Sequence, residues 1–251
     1  MNACLEGTSV PNVSFKLIEH GKWKTVTTDD LFKGKRVVVF SLPGAFTPTC
    51  SSMHLPRFND LAPVFKQHGI DDIICFSVND TFVMNEWKKD QEAENITLIP
   101  DGNGEFAAGM GMLVDKSAIG FGKRSWRYSM LVDNGIIQKM FVEQEGDGDP
   151  FLVSDADTML DYIAPKAKKP LFFSMITKQG CIHCERARKM LNARGMKYEE
   201  VELSRKLTTR SLRAISGGST TPQVFSEGHL IGGADDLEAY LEKNERETPT
   251  G

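Results

Sequence analysis

The pattern of apolar and polar positions predicts an α/β fold. Residues 36–40 and 73–78 are continuous apolar runs of the kind that forms buried strands, and a helical pattern follows each of them. The apolar runs 130–132 and 136–137 flank Asp133-Asn134-Gly135, which predicts a β-hairpin. Strands that alternate with helices in this way predict a central sheet between helices.

A break in the pattern falls at residues 164–170, where two prolines bracket small and charged residues. Proline resists the continuation of helix and sheet, so the segment predicts a linker. It follows a helix predicted over residues 155–163, for which Ser154 and Asp157 form a capping-box pattern. The predicted organisation is therefore a domain at 1–163, a linker at 164–170, a domain at 171–243 and a disordered charged tail at 244–251.

The second part of the chain repeats the α/β alternation over a shorter length. Its predicted order is strand, helix, strand, helix, strand pair and helix, at residues 171–176, 184–194, 198–203, 208–215, 223–231 and 235–243. Both parts thus predict central sheets flanked by helices.

Composition narrows the possible functions. Residues 1–163 hold 15 lysines and arginines against 23 acidic residues, and residues 164–251 hold 15 against 11, so the two parts carry about −8 and +4 charges. No dense basic stripe with interleaved aromatics is present, and neither nucleic acid nor a membrane is an expected partner.

Because the first residues do not resemble a secretion signal, we expect a cytoplasmic protein. Five cysteines, an odd number, do not predict a secreted disulfide framework.

Cys50 is the first candidate for chemistry. Thr47 and Pro48 are a favoured N-cap and a favoured first helical residue, so Cys50 is expected in the first turn of a helix that follows a buried strand. Free amides and the helix dipole there favour a thiolate, the reactive form of cysteine. A buried structural cysteine in a capped helix is the alternative that spacing alone leaves open.

The motif Pro43-x-x-x-Thr47-x-x-Cys50 resembles the active-site motif of the peroxiredoxins. With the stretches 77–80 and 126–130, the similarity extends to the type-5 branch over about residues 5–163.

The resemblance implies a thioredoxin-like fold with Cys50 as the peroxidatic nucleophile. It further implies that Thr47 and Arg127 bind the peroxide oxygens and that Pro43 shields the cysteine from water. Composition alone would not choose Arg127 among its neighbours, although a guanidinium there would stabilise the charge that develops on the leaving oxygen.

The remaining cysteines of this part are not obvious partners for Cys50. Some type-5 members carry a resolving cysteine in the region that corresponds to residues 143–151, and this sequence has none there. Cys75 lies in an apolar strand and predicts core packing, whereas Cys4 lies in a terminus and is expected to be incidental. Oxidised Cys50 would then depend on an outside thiol.

Cys181-Ile182-His183-Cys184 is the second candidate site. A Cys-x-x-Cys pair at a helix start is typical of redox chemistry, and arginines and lysines on the same helix would favour a thiolate at Cys181. A zinc site is an alternative, but only three ligands are local where about four are needed. Haem attachment requires a histidine directly after the second cysteine, where this chain has Glu185.

Three separated features of the second part together resemble the glutaredoxins over about residues 170–242. They are Lys178 before the cysteine pair, the run 220–225 and the run 232–237. The resemblance implies glutathione binding by Lys178, Thr221, a cis Pro222, Ala234 and Asp235, with Cys181 and Cys184 catalytic. Ile182-His183 and Thr221 depart from the family's usual residues, which puts the redox potential in doubt and leaves iron–sulfur binding open.

Together the two parts resemble bacterial hybrid peroxiredoxin–glutaredoxin proteins, which implies two thioredoxin-like domains in tandem. The expected activity is a glutathione-dependent peroxidase that reduces hydrogen peroxide and alkyl hydroperoxides, with glutathione as co-substrate, no tightly bound cofactor or metal, and a homo-oligomeric assembly. Two alternatives stay open: a peroxide sensor that relays oxidation to partner proteins, and an iron–sulfur carrier at Cys181.

Overall fold

The computed structural model describes residues 5–19, 21–144 and 149–246, without the side chains of residues 245 and 246. The chain divides into two compact units, Met1–Lys169 and Pro170–Gly251, and the division falls inside the predicted linker. Cys4 and the last five residues of the predicted tail lie outside the described residues.

The first unit alternates strands and helices. Its elements are β1 (Ser14–Glu19), β2 (Lys22–Thr27), α1 (Thr28–Phe32), β3 (Arg36–Leu42), a π-helical segment (Cys50–His54), α2 (Leu55–Gln67), β4 (Asp72–Ser77), α3 (Thr81–Asp90), β5 (Thr97–Pro100), α4 (Glu105–Gly109), β6 (Leu113–Asp115), a 3-10 turn (Ser117–Ile119), β7 (Lys123–Ser125), β8 (Tyr128–Asp133), β9 (Ile136–Val142) and α5 (Ala156–Ile163).

A five-stranded mixed sheet in the order β5-β4-β3-β8-β9 forms the centre of this unit. β3 is parallel to β4 and antiparallel to β8, so it is paired along both edges. Val38 and Phe40 on one face of β3 join one apolar cluster, and Val37 and Val39 on the other face join a second cluster. The continuous apolar run in the sequence therefore reflects a strand that is buried on both faces, as predicted.

The predicted hairpin is confirmed by β8 and β9, which pair antiparallel. Asn134 and Gly135 in its turn have φ values of 47° and 80°, the left-handed backbone that Asn-Gly adopts readily in a two-residue turn.

The start of α5 differs from the predicted capping box by one residue. The N-cap is Asp155, whose carboxylate accepts from the amide of Thr158. Ser154 donates its hydroxyl to Glu143 instead, and Asp157 pairs with Arg57 and Lys169. Both side chains that the spacing predicted for the cap, those of Ser154 and Asp157, thus bind residues distant in sequence instead.

Most of the predicted linker is held against the first unit. Lys169 forms ion pairs with Asp157 (3.1 Å) and Asp161 (2.9 Å) on α5. Ala164 and Ala167 pack on the apolar cluster that includes α2 and α5.

The second unit contains β10 (Phe173–Thr177), α6 (Ile182–Ala193), β11 (Tyr198–Glu202), α7 (Thr209–Ser216), β12 (Gln223–Ser226), β13 (His229–Gly232) and α8 (Ala234–Arg246). Its four-stranded mixed sheet has the order β11-β10-β12-β13. Mixed sheets flanked by helices confirm the predicted fold class for both units.

Two boundaries in this unit correct the sequence prediction. α6 begins at Ile182, two residues before the predicted start, so that both residues between the cysteines are helical. α8 continues to Arg246 and includes three residues that were assigned to the disordered tail. Within the described ranges, no helix of either unit combines the length and apolar character needed to span a bilayer.

Candidate active site

Cys50 lies at the start of the helix that follows β3. The connecting loop is fixed by Asn79, whose side-chain oxygen accepts from the Ala45 amide (3.0 Å) and from the Ser77 hydroxyl (2.7 Å). The Ser51 amide donates to the Thr47 carbonyl (3.0 Å), so the first helical turn begins at the predicted place. Cys50 itself is fully buried.

The local geometry at Thr47 and Cys50 differs from a simple capped α-helix. The Thr47 hydroxyl donates to the Gly44 carbonyl (2.9 Å) rather than capping the helix. The amide of Leu55 donates to the Cys50 carbonyl, the wider spacing of a π-helix, which the sequence did not predict. Pro43 is buried directly after β3. Thr47 and Pro43 thus lie in the loop that leads into the cysteine.

Arg127 places a buried cation beside the Cys50 thiol. It directly precedes β8, is 1 % exposed, and directs one guanidinium nitrogen at Cys50 Sγ (3.6 Å). The same nitrogen donates to Asp149 (2.5 Å). Burial lowers the pKa of Arg127, but Asp149 and Cys50 raise it by more, so the residue stays cationic. The structure therefore brings Cys50 and Arg127 together, as the resemblance implied.

His54 is a site residue that the sequence analysis missed. Its Nδ1 accepts from Arg127 (3.0 Å), and its Nε2 donates to the Ser154 carbonyl (3.1 Å). Burial, and then the Arg127 cation, hold the pKa of His54 well below its ordinary value. The imidazole is therefore neutral, with its proton on Nε2 and a lone pair directed at the guanidinium. Its position four residues after Cys50 was the available signal.

The segment 149–154 covers the other side of Arg127. Asp149 forms the ion pair described above, and the Phe151 ring lies 5.5 Å from the guanidinium and 4.9 Å from the His54 ring. The Glu143 carboxylate, which is buried, accepts from the amides of residues 152, 153 and 154. No local sequence pattern predicts the contacts of Asp149, Phe151 and Glu143, because these contacts form only where the loop 149–154 folds back on the end of β9.

Cys75 is the other free cysteine among the described residues. It lies on β4 within the apolar cluster and is fully buried, which confirms core packing. Burial raises the pKa of Cys75 well above its ordinary value, so this thiol is protonated.

The second site is a disulfide between Cys181 and Cys184, with their Cα atoms 5.2 Å apart. Cys181 is the N-cap of α6, and its sulfur accepts from the Cys184 amide (3.1 Å). Cys181 is half-buried and Cys184 is fully buried. The exposed Ile182 and His183 lie between them on the surface.

Thr221 lies against the outer sulfur. Its hydroxyl donates to Cys181 Sγ (3.4 Å), and its carbonyl oxygen is 3.4 Å from the same atom. The Thr221–Pro222 peptide bond is cis, as the resemblance implied. Lys178 is exposed, and its carbonyl accepts from the Cys181 amide (3.2 Å).

Two of the cations that were expected to favour a thiolate at Cys181 are paired with carboxylates instead. Arg188 pairs with Glu185 and Glu200, and Arg186 pairs with Asp235 at the start of α8. The predicted glutathione residue Asp235 is thus joined to α6 by an ion pair, next to the buried Ala234.

Gly232 permits the turn before α8. Its φ of 127° and the closeness of the Asp236 carboxylate exclude a Cβ there.

Among the residues that the structure describes, no three His, Cys, Asp or Glu side chains are grouped as a metal site.

Two thioredoxin-like units, each with a cysteine at a helix start, define a thiol-based oxidoreductase in two modules. Comparison with known proteins specifies both modules. The Redoxin family model matches residues 5–160 and the Glutaredoxin model matches residues 173–231. The chain belongs to the redoxin family and is a peroxiredoxin–glutaredoxin hybrid with peroxidase activity.

Relatives resemble either the whole chain or its first unit. "Hybrid peroxiredoxin hyPrx5" of Haemophilus influenzae is 59% identical over 94% of this chain and 98% of its own length. "Peroxiredoxin sll1621" of Synechocystis is 58% identical over 60% of this chain and 84% of its own. The solved structure of reduced Prx3 in complex with H2O2 from Vibrio vulnificus has a TM-score of 0.60 at 38% identity, covering 64% of this chain and 99% of that one.

Proposed function

We propose that the protein is a cytoplasmic, glutathione-dependent peroxidase in which the second unit regenerates Cys50 of the first. The observation that carries the proposal is the distribution of thiols. Among the described residues, the free cysteines are Cys50 and the core residue Cys75, whereas the redox-active pair lies in the other unit. The part of the first unit that the structure describes thus offers oxidised Cys50 no other thiol than the core residue Cys75, so its reduction is assigned to a thiol from elsewhere.

In the first step the Cys50 thiolate attacks one peroxide oxygen and the O–O bond breaks. Cys50 becomes a sulfenic acid, and the other oxygen leaves as an alkoxide or hydroxide that takes up a proton. Arg127 stabilises the charge on the leaving oxygen. Because the Thr47 hydroxyl donates to Gly44, its lone pairs are left to accept from the peroxide O–H. The substrates are hydrogen peroxide and alkyl hydroperoxides.

Glutathione restores the Cys50 thiol in three steps, one condensation and two thiol–disulfide exchanges. Its thiol condenses with the sulfenic acid to give a mixed disulfide at Cys50 and water. The Cys181 thiolate then attacks the glutathione sulfur, which releases Cys50 as a thiolate and leaves Cys181 glutathionylated. A second glutathione attacks that disulfide, yielding oxidised glutathione and free Cys181. Cys184 is not required in this route.

The second unit offers complementary groups to each end of glutathione. The Thr221 backbone lies against Cys181, where it would pair with the cysteinyl part of the peptide. Lys178 is exposed and would meet a carboxylate. The Arg186–Asp235 pair matches the ammonium and carboxylate of the γ-glutamyl end, assisted by the amides at the start of α8.

The experiment compares glutathione-driven peroxide consumption in the full chain and in C50S, C181S and C184S. We expect activity to be lost in C50S and C181S and largely kept in C184S. Full turnover of C181S with glutathione would contradict the relay. Peroxide-dependent formation of mixed disulfides with other proteins, without turnover, would instead favour a sensor.

A further inference from the structure

Glu143 holds the loop whose residues contact Arg127 and His54. It is 2 % exposed and follows β9 directly, and a single carboxylate oxygen accepts four hydrogen bonds of 2.8–2.9 Å. Three come from consecutive amides, those of Leu152, Val153 and Ser154, and the fourth comes from the Ser154 hydroxyl.

The loop that these four bonds hold contacts the peroxidatic site. Residues 149–154 bring Asp149 and Phe151 to the guanidinium, and the Ser154 carbonyl orients His54, which accepts from Arg127. The main chain of Glu143 adds a second link, because its amide donates to the Arg127 carbonyl (3.2 Å). Its carbonyl accepts from the Trp126 indole (2.7 Å).

The charge of Glu143 is maintained at this buried position. Burial raises the pKa of its carboxyl, but the amides of Val153 and its neighbours lower it by more, so the pKa lies below its ordinary value. Hydrogen bonds to an ionised acceptor are about twice as strong as neutral ones. One carboxylate therefore holds the loop that would otherwise leave three amides without partners.

Given the proposed roles of Cys50 and Arg127, on which this inference rests, we propose that Glu143 is a positioning residue for peroxide reduction. It does not touch the reacting atoms. It fixes the loop 149–154 and, through that loop, the orientation of the Arg127 guanidinium toward Cys50. Displacement of a positioning group by about 1 Å costs on the order of 100-fold in rate, so even modest loosening is measurable.

The test uses the full chain with Cys181 and Cys184 replaced by serine, so that a single turnover reports Cys50. For E143A, E143Q and R127Q, stopped-flow measurement gives the rate constant with hydrogen peroxide, and alkylation by neutral iodoacetamide gives the rate at the same thiol without an O–O bond to break. We expect E143A to lose about tenfold or more with peroxide and much less with iodoacetamide. E143Q keeps the acceptor oxygen and should lie between E143A and the parent.

A double-mutant cycle of E143A and R127Q distinguishes a loss of Arg127 positioning from a general disturbance of the fold. In the R127Q background E143A should cost less than about threefold, because the group that it positions is gone. D101N is the matched control: Asp101 is also a buried carboxylate that accepts from two backbone amides, and its variant should leave the peroxide-to-alkylation ratio unchanged.

The inference is overturned if E143A reacts with peroxide within twofold of the parent, if both reactions slow equally, or if its cost is the same with and without Arg127. E143Q provides the same cycle should E143A not fold. An R127Q protein that reacts at the parent rate would instead refute the proposed function of Arg127, whatever E143A does.

Discussion

Cys50 and Cys181 occupy the same place in two thioredoxin-like units, yet their surroundings differ. Cys50 is fully buried, with the guanidinium of Arg127 at 3.6 Å from its sulfur. Cys181 is half-buried and receives an amide at 3.1 Å and a hydroxyl at 3.4 Å, while the nearby arginines of α6 pair with carboxylates.

The difference matches the chemistry of each step. Breaking an O–O bond places a full charge on a leaving oxygen, which a buried cation stabilises strongly. Thiol–disulfide exchange instead transfers charge between sulfurs that must reach each other, so an accessible sulfur with neutral donors is suitable. Under the proposed function, one fold supports two reactions through the groups placed around the same helix start.

The largest effect expected is confined to the first unit. R127Q should slow the reaction of Cys50 with hydrogen peroxide by about 100-fold or more, the usual cost of losing a main stabilising donor. Exchange between glutathione and a small mixed disulfide, catalysed by Cys181, should stay unchanged. Stopped-flow and steady-state assays on one preparation measure both.

R57Q is the control for R127Q, since it removes an ion pair with Asp157 in the same unit without touching Cys50. The comparison between the two sites would fail if R57Q and R127Q slowed the peroxide reaction equally. It would also fail if R127Q slowed the exchange reaction of Cys181 as much as the peroxide reaction of Cys50.

The neutral His54 predicts a pH dependence of stability in the first unit. Its folded pKa lies below its unfolded value, so the unfolded chain binds the additional proton first as the pH falls. The stability that depends on neutral His54 is present above about pH 6.5 and is lost below it, by about 1.4 kcal/mol per pH unit. Relative to H54Q, the free energy of unfolding should fall more steeply in that range.

Tryptophan fluorescence makes this measurement specific, because Trp23, Trp87 and Trp126 are the three tryptophans and all belong to the first unit. H68Q, at an exposed histidine of the same unit, is the matched control and should follow the parent protein. Parallel curves for the parent and H54Q would show that His54 does not remain neutral.

The smallest effect concerns the hydroxyl donor of the second unit. T221V removes the hydrogen bond to Cys181 Sγ at nearly constant volume and should slow deglutathionylation by about fivefold, or about 1 kcal/mol. T220V, one residue earlier, is its control. A rate for T221V that equals that of T220V would show that the hydroxyl is not a significant donor.

The sequence predicted most of what depends on local pattern. The doubly buried β3, the Asn134-Gly135 turn and the helix start at Thr47 follow from periodicity and turn chemistry, and the structure agrees with each. The fold class followed from the alternation of elements together with two family resemblances.

Features that depend on distant partners were missed. Ser154 fits a cap by spacing, but Glu143 takes its hydroxyl. The sequence predicted that Arg186 and Arg188 favour a thiolate, but in the structure they form ion pairs with carboxylates of α8 and β11. His54 and Asp149 reach Arg127 only when a helix and a returning loop meet, which no sequence periodicity encodes.

The pairing of β3 along both edges bears on amide hydrogen exchange. A strand that is hydrogen-bonded on two sides and buried on two faces exchanges its amides only when the unit opens as a whole. The amides of residues 152–154 depend on one carboxylate oxygen, so local release of Glu143 is enough to open them to exchange. We therefore expect the amides of β3, the strand that leads to Cys50, to exchange more slowly than those of residues 152–154 beside Arg127.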